Sequence, residues 1–139
     1  MATVEEQFEQ LAAEASYHQH YAHEIENQMR AIAQVEAEIN KTIDALQALK
    51  ENNLTLFNLG SGIFVKGELK QTNRLLMNVG ANIFAETSIE DSIKFLEGKK
   101  KELEEAKNDL IKSMEAISNR LKEIDIEARR IMKEQKESE

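Results

Sequence analysis

Residues 54–86, LTLFNLGSGIFVKGELKQTNRLLMNVGANIFAE, decide the fold. Their apolar residues alternate in twos, and they hold four of the chain's five glycines. The sequence on either side behaves differently. From Val4 to Leu46 and again from Ile89 to Ile131, apolar residues recur at steps of four and three. A period of two marks strands, whereas a mean period of 3.5 marks the seam of a coiled coil. The chain therefore reads as helix, four short strands, helix, an α+β arrangement in which a β-insert joins two coiled-coil arms.

Within the insert, Leu54 to Leu59, Ile63 to Leu69, Arg74 to Val79 and Ile83 to Glu86 are the strand candidates. Gly60-Ser61-Gly62 and Gly80-Ala81-Asn82 supply hairpin turns, because glycine and asparagine accept the positive φ such turns need. Lys70-Gln71-Thr72-Asn73 links the two hairpins. Alternation sets Leu54, Leu56, Ile63, Val65, Leu75, Met77, Val79 and Ile83 against Phe57, Phe64, Leu76 and Phe84, so both faces carry apolar side chains. Isolated hairpins are marginal in water and their open edges invite pairing. The predicted assembly interface is accordingly Leu54, Leu56, Leu59, Ile63, Phe64, Val65, Leu75, Met77, Val79, Ile83 and Phe84, closing with other subunits into a β-barrel.

The first seam runs Val4, Phe8, Leu11, Ala15, His18, Ala22, Ile25, Met29, Ile32, Glu36, Ile39, Ile43, Leu46. A helix of that length is roughly 70 Å long at 1.5 Å per residue, too long for the core of so small a domain. The second runs Ile89, Ile93, Leu96, Lys100, Leu103, Lys107, Leu110, Met114, Ile117, Leu121, Ile124, Ala128, Ile131. Ser88 ahead of Glu90 and Asp91 supplies a capping hydroxyl followed by acids at the positive end of the helix dipole. Gly98 lies off the seam and does not end the helix. The expected division of the single domain is a helix over 1–52, hairpins over 53–87, a helix over 88–134 and a frayed tail over 135–139.

Folding the arms back on each other needs no other chain. In the antiparallel register whose residue numbers sum to 139, Leu46 meets Ile93 and Phe8 meets Ile131. The polar seam residues Glu36, Lys100 and Lys107 then fall together. Two readings stay open: an ion-paired cluster that fixes register, or lysines whose heads escape to water.

Composition narrows the function. Of 139 residues, 32% are charged and only 5% aromatic, which suits long helices better than a compact core. There is no proline, so nothing forces a helix break. A net charge of −8 argues against nucleic-acid binding. The absence of cysteine removes disulfides, thiolate metal sites and thiol catalysis. No apolar run reaches membrane-spanning length and MATVEEQFEQ is unlike a signal peptide, so a cytoplasmic protein without membrane association is expected. His18, His20 and His23 lack further ligands at helical spacing and read as a polar seam insertion and solvated surface, not a metal site. Gly60-Ser61-Gly62-Ile63-Phe64-Val65 lacks the third glycine of a dinucleotide loop, and Gly67-Glu68 lacks the lysine of a nucleotide loop. No nucleophile and base are arranged for catalysis, and no cofactor is expected.

Leu59-Gly60-Ser61-Gly62 leading into Phe64-Val65-Lys66-Gly67, then Val79-Gly80-Ala81, then Ser88-Ile89-Glu90-Asp91-Ser92-Ile93, resembles the alpha-type subunit of archaeal prefoldin. Asn58 stands where that family commonly has proline, and Asn82 where it has a third turn glycine. The resemblance implies a hexamer of two alpha-type and four beta-type subunits joined by β-barrels. It also implies an ATP-independent holdase that grips unfolded client proteins at the arm tips and delivers them to a group II chaperonin. The alternative is a prefoldin-like structural subunit that builds a homo-oligomeric scaffold or filament with little client binding. If the family's mode of action applies, the gripping residues are those near the two chain ends: Val4, Phe8, Leu11, Ala128 and Ile131 of the seam, with Tyr21 and Met132 beside it.

Overall fold

The computed structural model describes residues 2–52, 54–71 and 73–138. Six elements follow in order: α1 (Val4–Glu51), β1 (Leu54–Gly60), β2 (Ile63–Glu68), β3 (Leu75–Gly80), β4 (Ile83–Thr87) and α2 (Ile89–Ser138). The chain divides into two compact units, Met1–Ala33 with Glu105–Glu139, and Gln34–Glu104. They are called the terminal unit and the hairpin unit below.

Both helices begin on side-chain caps. Thr3 and Glu6 form a reciprocal capping box: the Glu6 amide donates to Thr3 Oγ1 at 3.2 Å, and the Thr3 amide donates to Glu6 Oε2 at 3.1 Å. At α2 the Asp91 amide donates to Ser88 Oγ at 3.1 Å, as the sequence leads one to expect. At the C-terminal end of α1, Asn52 Oδ1 accepts the Leu54 amide at 3.0 Å and turns the chain into β1. Beyond its last seam residue α2 continues to Ser138. Lys, Glu and Gln are strong helix formers and no proline or glycine interrupts them, so propensity carries the helix past its last seam residue.

In the terminal unit, Leu11, Ile124 and Ile131 form a buried cluster, with Val4, Phe8, Ala15, Leu121 and Ala128 packed against it. Leu11 thus packs with the residues on either side of Ala128, its partner in the register summing to 139. Ile25, at 1% exposure, is the most completely buried apolar side chain among the described residues. In the hairpin unit the buried seam residues are Ile39, Ile43, Leu46 and Ile89. Ser92 is buried beside them at 3% exposure, and its hydroxyl has no hydrogen-bond partner among the described residues.

The four strands make two separate antiparallel pairs, β1 with β2 and β3 with β4, and no barrel closes among the described residues. The two hairpins repeat each other at an offset of twenty residues: Asn58 pairs with Phe64 and Gly60 with Ile63, while Asn78 pairs with Phe84 and Gly80 with Ile83. Each has a bulge between the asparagine and the glycine. In each, the asparagine Oδ1 accepts the amide two residues on, Gly60 at 2.9 Å and Gly80 at 3.0 Å. The turn residues Ser61 and Gly62, and Ala81 and Asn82, all have positive φ, which matches the twist of a two-residue hairpin turn. Asn82 (φ 59°) therefore does a turn glycine's work, asparagine being among the residues that tolerate this region best.

Candidate functional site

The seam residues of both helices are buried or half-buried along their whole length, with the exception of exposed Lys107. The hairpins are the reverse. Leu54, Leu56, Phe57, Leu59, Ile63, Phe64, Val65, Leu76, Val79, Ile83 and Phe84 are all exposed, Leu59 to 68% and Leu76 to 71%. So much apolar surface on short strands marks an interaction site. Of the interface residues expected from sequence, only Leu75 and Met77 are half-buried. They lie on one face of the second hairpin together with half-buried Thr87. The other face pairs Leu76 with Glu86 and Asn78 with Phe84, and its counterpart in the first hairpin pairs Leu56 with Lys66 and Asn58 with Phe64.

Each of these faces carries both signs of charge, Lys66 with Glu68 on the first hairpin and Arg74 with Glu86 on the second. Glu86 is engaged by Arg74 Nη2 at 3.1 Å. Gly67 has a defined role: a Cβ there would come within 2.6 Å of the Phe57 ring, so the absence of a side chain lets that ring lie across the strand.

The terminal unit presents a second surface. Val4, Phe8, Leu11, Ala128 and Ile131, the seam members of the expected gripping set, belong to one cluster. Leu11 and Ile131 are buried in it, while Val4, Phe8 and Ala128 are half-buried. Tyr21 and Met132 are exposed and lie outside that cluster. Tyr17 and Ile126, each 67% exposed, add to the apolar surface of this unit.

Glu36, Lys100 and Lys107 form no ion pair among the described residues. Lysine has reach enough to leave its head in water, so the expected cluster gains nothing by closing. Among the described residues ion pairs between the helices are made by Lys50 with Glu90 and by Glu14 with Arg120, the latter passed over by the a and d stepping because both stand at g positions flanking the seam. Arg120 Nε and Nη2 each donate to the Glu14 carboxylate, Nη2 at 2.9 Å, and Nη1 donates to Glu123 at 3.1 Å. These hydrogen bonds hold the Glu14 carboxyl below its ordinary value, against partial desolvation that pushes it up; the guanidinium charge adds to the lowering. Arg120 is raised in turn, chiefly by its hydrogen bonds to Glu14 and then to Glu123. His18 Nε2 sits 3.5 Å from the same carboxylate, and its Nδ1 is buried with no partner among the described residues. His20 and His23 lie near Glu24 and Glu26 on the surface.

Two long helices with a pair of exposed hairpins between them also describe the family found by comparison. The family described as "Prefoldin subunit" matches residues 18–134. The chain belongs to the prefoldin family. A cryo-EM structure of filamentous prefoldin from Methanocaldococcus jannaschii shares the fold with a TM-score of 0.71 at 18% identity, covering 84% of this chain and 98% of that one. Among curated proteins no sequence match was found. No helix among the described residues of this prefoldin subunit is long and apolar enough to cross a membrane. The prefoldin match contains both hairpins and begins at His18, so Val4, Phe8, Leu11 and Glu14 precede it.

Proposed function

We propose that this chain is an alpha-type prefoldin subunit and acts as an ATP-independent holdase. It assembles through its hairpins, two copies with four beta-type subunits. It binds unfolded proteins at the terminal ends of its helices and passes them to a group II chaperonin in the cytoplasm. The observation that carries this reading is the contrast between a closed helical seam and two hairpins that expose apolar residues on their strands. Such a surface is stable in water only when another chain covers it. The resemblance gives beta-type subunits a single hairpin, so the two hairpins here support the alpha type.

At the terminal unit, Val4, Phe8, Leu11, Ala128 and Ile131 offer apolar contacts when the helix ends part, with Tyr21 and Met132 exposed beside them. Methionine and aromatic side chains adapt to partners of varied shape. Holding needs no nucleotide chemistry, since affinity for exposed apolar chain falls away once a client buries its own core.

The test has two parts. Light scattering of the chain, alone and mixed with a beta-type subunit, should give a hexamer only in the mixture. A variant lacking residues 1–11 and 128–139 should still assemble and should no longer suppress aggregation of a denatured client. Full suppression by the assembled truncation refutes the assignment of the gripping residues.

A second reading is a homo-oligomeric scaffold or filament with little client binding. It is favoured by the solved relative, which is a filamentous prefoldin. Growth of the chain alone into large particles would select this reading.

A further inference from the structure

The apolar packing of the terminal unit comes in two pieces. The outer cluster around Leu11, Ile124 and Ile131 reaches inward only as far as Ala15 and Leu121. Ile25 and Ile117, buried to 1% and 6% exposure, are not members of it. Between the two pieces the α1 side of the seam is Ala15, His18 and Ala22, which face Ile124, Leu121 and Ile117 in the register summing to 139.

Three consecutive seam positions are therefore weak. The two alanines are too small to fill their layers, and grooves of about 350 and 340 Å³ open beside Ala15 and Ala22 respectively. His18 is half-buried, and its Nδ1 is buried without a hydrogen-bond partner among the described residues. A buried polar atom left unpaired costs free energy that an apolar side chain would not. Where packing is interrupted in this way, the parts on either side open separately. One tie spans the interruption. Arg120 grips Glu14 through Nε and Nη2 and holds Glu123 through Nη1. His18 Nε2 lies 3.5 Å from the same Glu14 carboxylate, so the tie abuts the weak layer.

We propose that the outer end of this helix pair, residues 4–15 of α1 with residues 121–131 of α2, opens and closes as one step, with the break at His18 and Ala22 and with Glu14 and Arg120 as its clasp. Members of the outer cluster depend on one another for burial, so they part together. Opening stops at Ile25, whose layer is intact. An unpaired helix end of this length is marginal in water, so its backbone amides lose protection together. The step belongs to the chain alone, and its bearing on function rests on the holdase reading. Apolar contacts at the terminal end are then offered all at once or not at all, and more often at high salt, which screens the clasp.

Hydrogen exchange of the full-length chain measures the step. Amides of residues 8–15 and 124–131 should share one opening constant, about tenfold or more above that of residues 25–32. His18→Leu fills the weak layer and should slow both segments by about tenfold. Ala22→Leu fills the neighbouring layer and should act in the same direction. Arg120→Gln releases the clasp and should speed both segments together by about threefold, the scale of one exposed ion pair. High salt should do the same to the unaltered chain and leave Arg120→Gln unchanged.

Protection that rises smoothly from the chain ends to Ile25, as in simple fraying, overturns the one-step opening. So does unchanged exchange in both filling variants. A response to Arg120→Gln confined to α1 refutes the clasp. Suppression of aggregation of a denatured reference protein is measured on the same samples. If the segments open together but His18→Leu suppresses as well as the unaltered chain, the step stands and its part in holding falls. If the unaltered chain does not suppress at all, the holdase reading falls, and the exchange data still decide the step.

Discussion

The terminal unit and the hairpin unit apply the same apolar residue types to opposite ends. In the terminal unit Leu11, Ile25, Ile117, Ile124 and Ile131 are buried because a partner helix lies within the chain. In the hairpin unit Leu56, Ile63, Phe64, Ile83 and Phe84 stay exposed because each hairpin has only two strands and no second layer over its outer face. Fully burying a side chain of this kind contributes ~1.5–3 kcal/mol. The seam residues gain this on folding, and the exposed hairpin residues can gain it only when something covers them. The difference separates residues that hold the chain together from residues to which the proposed function gives the recruitment of other chains.

The strongest way to break this contrast is Phe64→Ser with Phe84→Ser. The pair should abolish the rise in mass on mixing with partner subunits while leaving the helical circular dichroism of the chain unchanged. A variant that still assembles would show that the exposed hairpin faces are not the joint. Next in size is Ile25→Ala, which should destabilise the chain by about 3 kcal/mol, as cavity-forming truncations do. Ile63→Ala in a hairpin should cost the isolated chain less than ~0.5 kcal/mol, the usual scale for surface sites. Urea unfolding of the two variants measures the difference directly.

Two smaller changes should stabilise. Gly98 is in α2, where an added Cβ meets nothing within 4 Å, and Gly98→Ala should gain about 1 kcal/mol of helix stability. Ser92→Ala removes a buried hydroxyl without a described partner and should gain up to ~1 kcal/mol in the same assay. The smallest expected effect is electrostatic. Because Arg120 holds Glu14 below its ordinary value of 4.5, this ion pair stabilises the fold fully above that pH. Its contribution is lost as pH falls from there through the lowered folded-state value. Melting temperature should therefore drop more steeply in acid for the unaltered chain than for Glu14→Gln, and high salt should narrow the gap.

The helical seam was legible in the sequence because steps of four and three report a physical stripe, and only Lys107 among its members is exposed. The hairpins were legible to within a residue or so at their ends, since glycine and asparagine mark the turns. What stayed hidden depends on contacts across the chain. Glu14 and Arg120 look like ordinary surface charges until the antiparallel register brings their g positions together. The amide-accepting side chains of Asn58 and Asn78, by contrast, carry a signal in the repeated Asn-x-Gly pattern, visible once the hairpins are aligned. The apolar grooves beside the terminal seam, lined in part by Leu121 and Asp125, left no mark because they arise from what is small, Ala12, Ala15 and Ser118, and not from a motif.

The bidentate pair of Glu14 with Arg120 bridges residues 106 apart in sequence, whereas Lys50 and Glu90 close a far shorter loop around the hairpins. Loop closure costs more entropy as the loop lengthens, and each hairpin closes on its own tight turn. Chain collapse therefore starts at the short loops and zips toward the two termini. The helix ends are the last segments to pair when the protein is made and the first to part when it breathes.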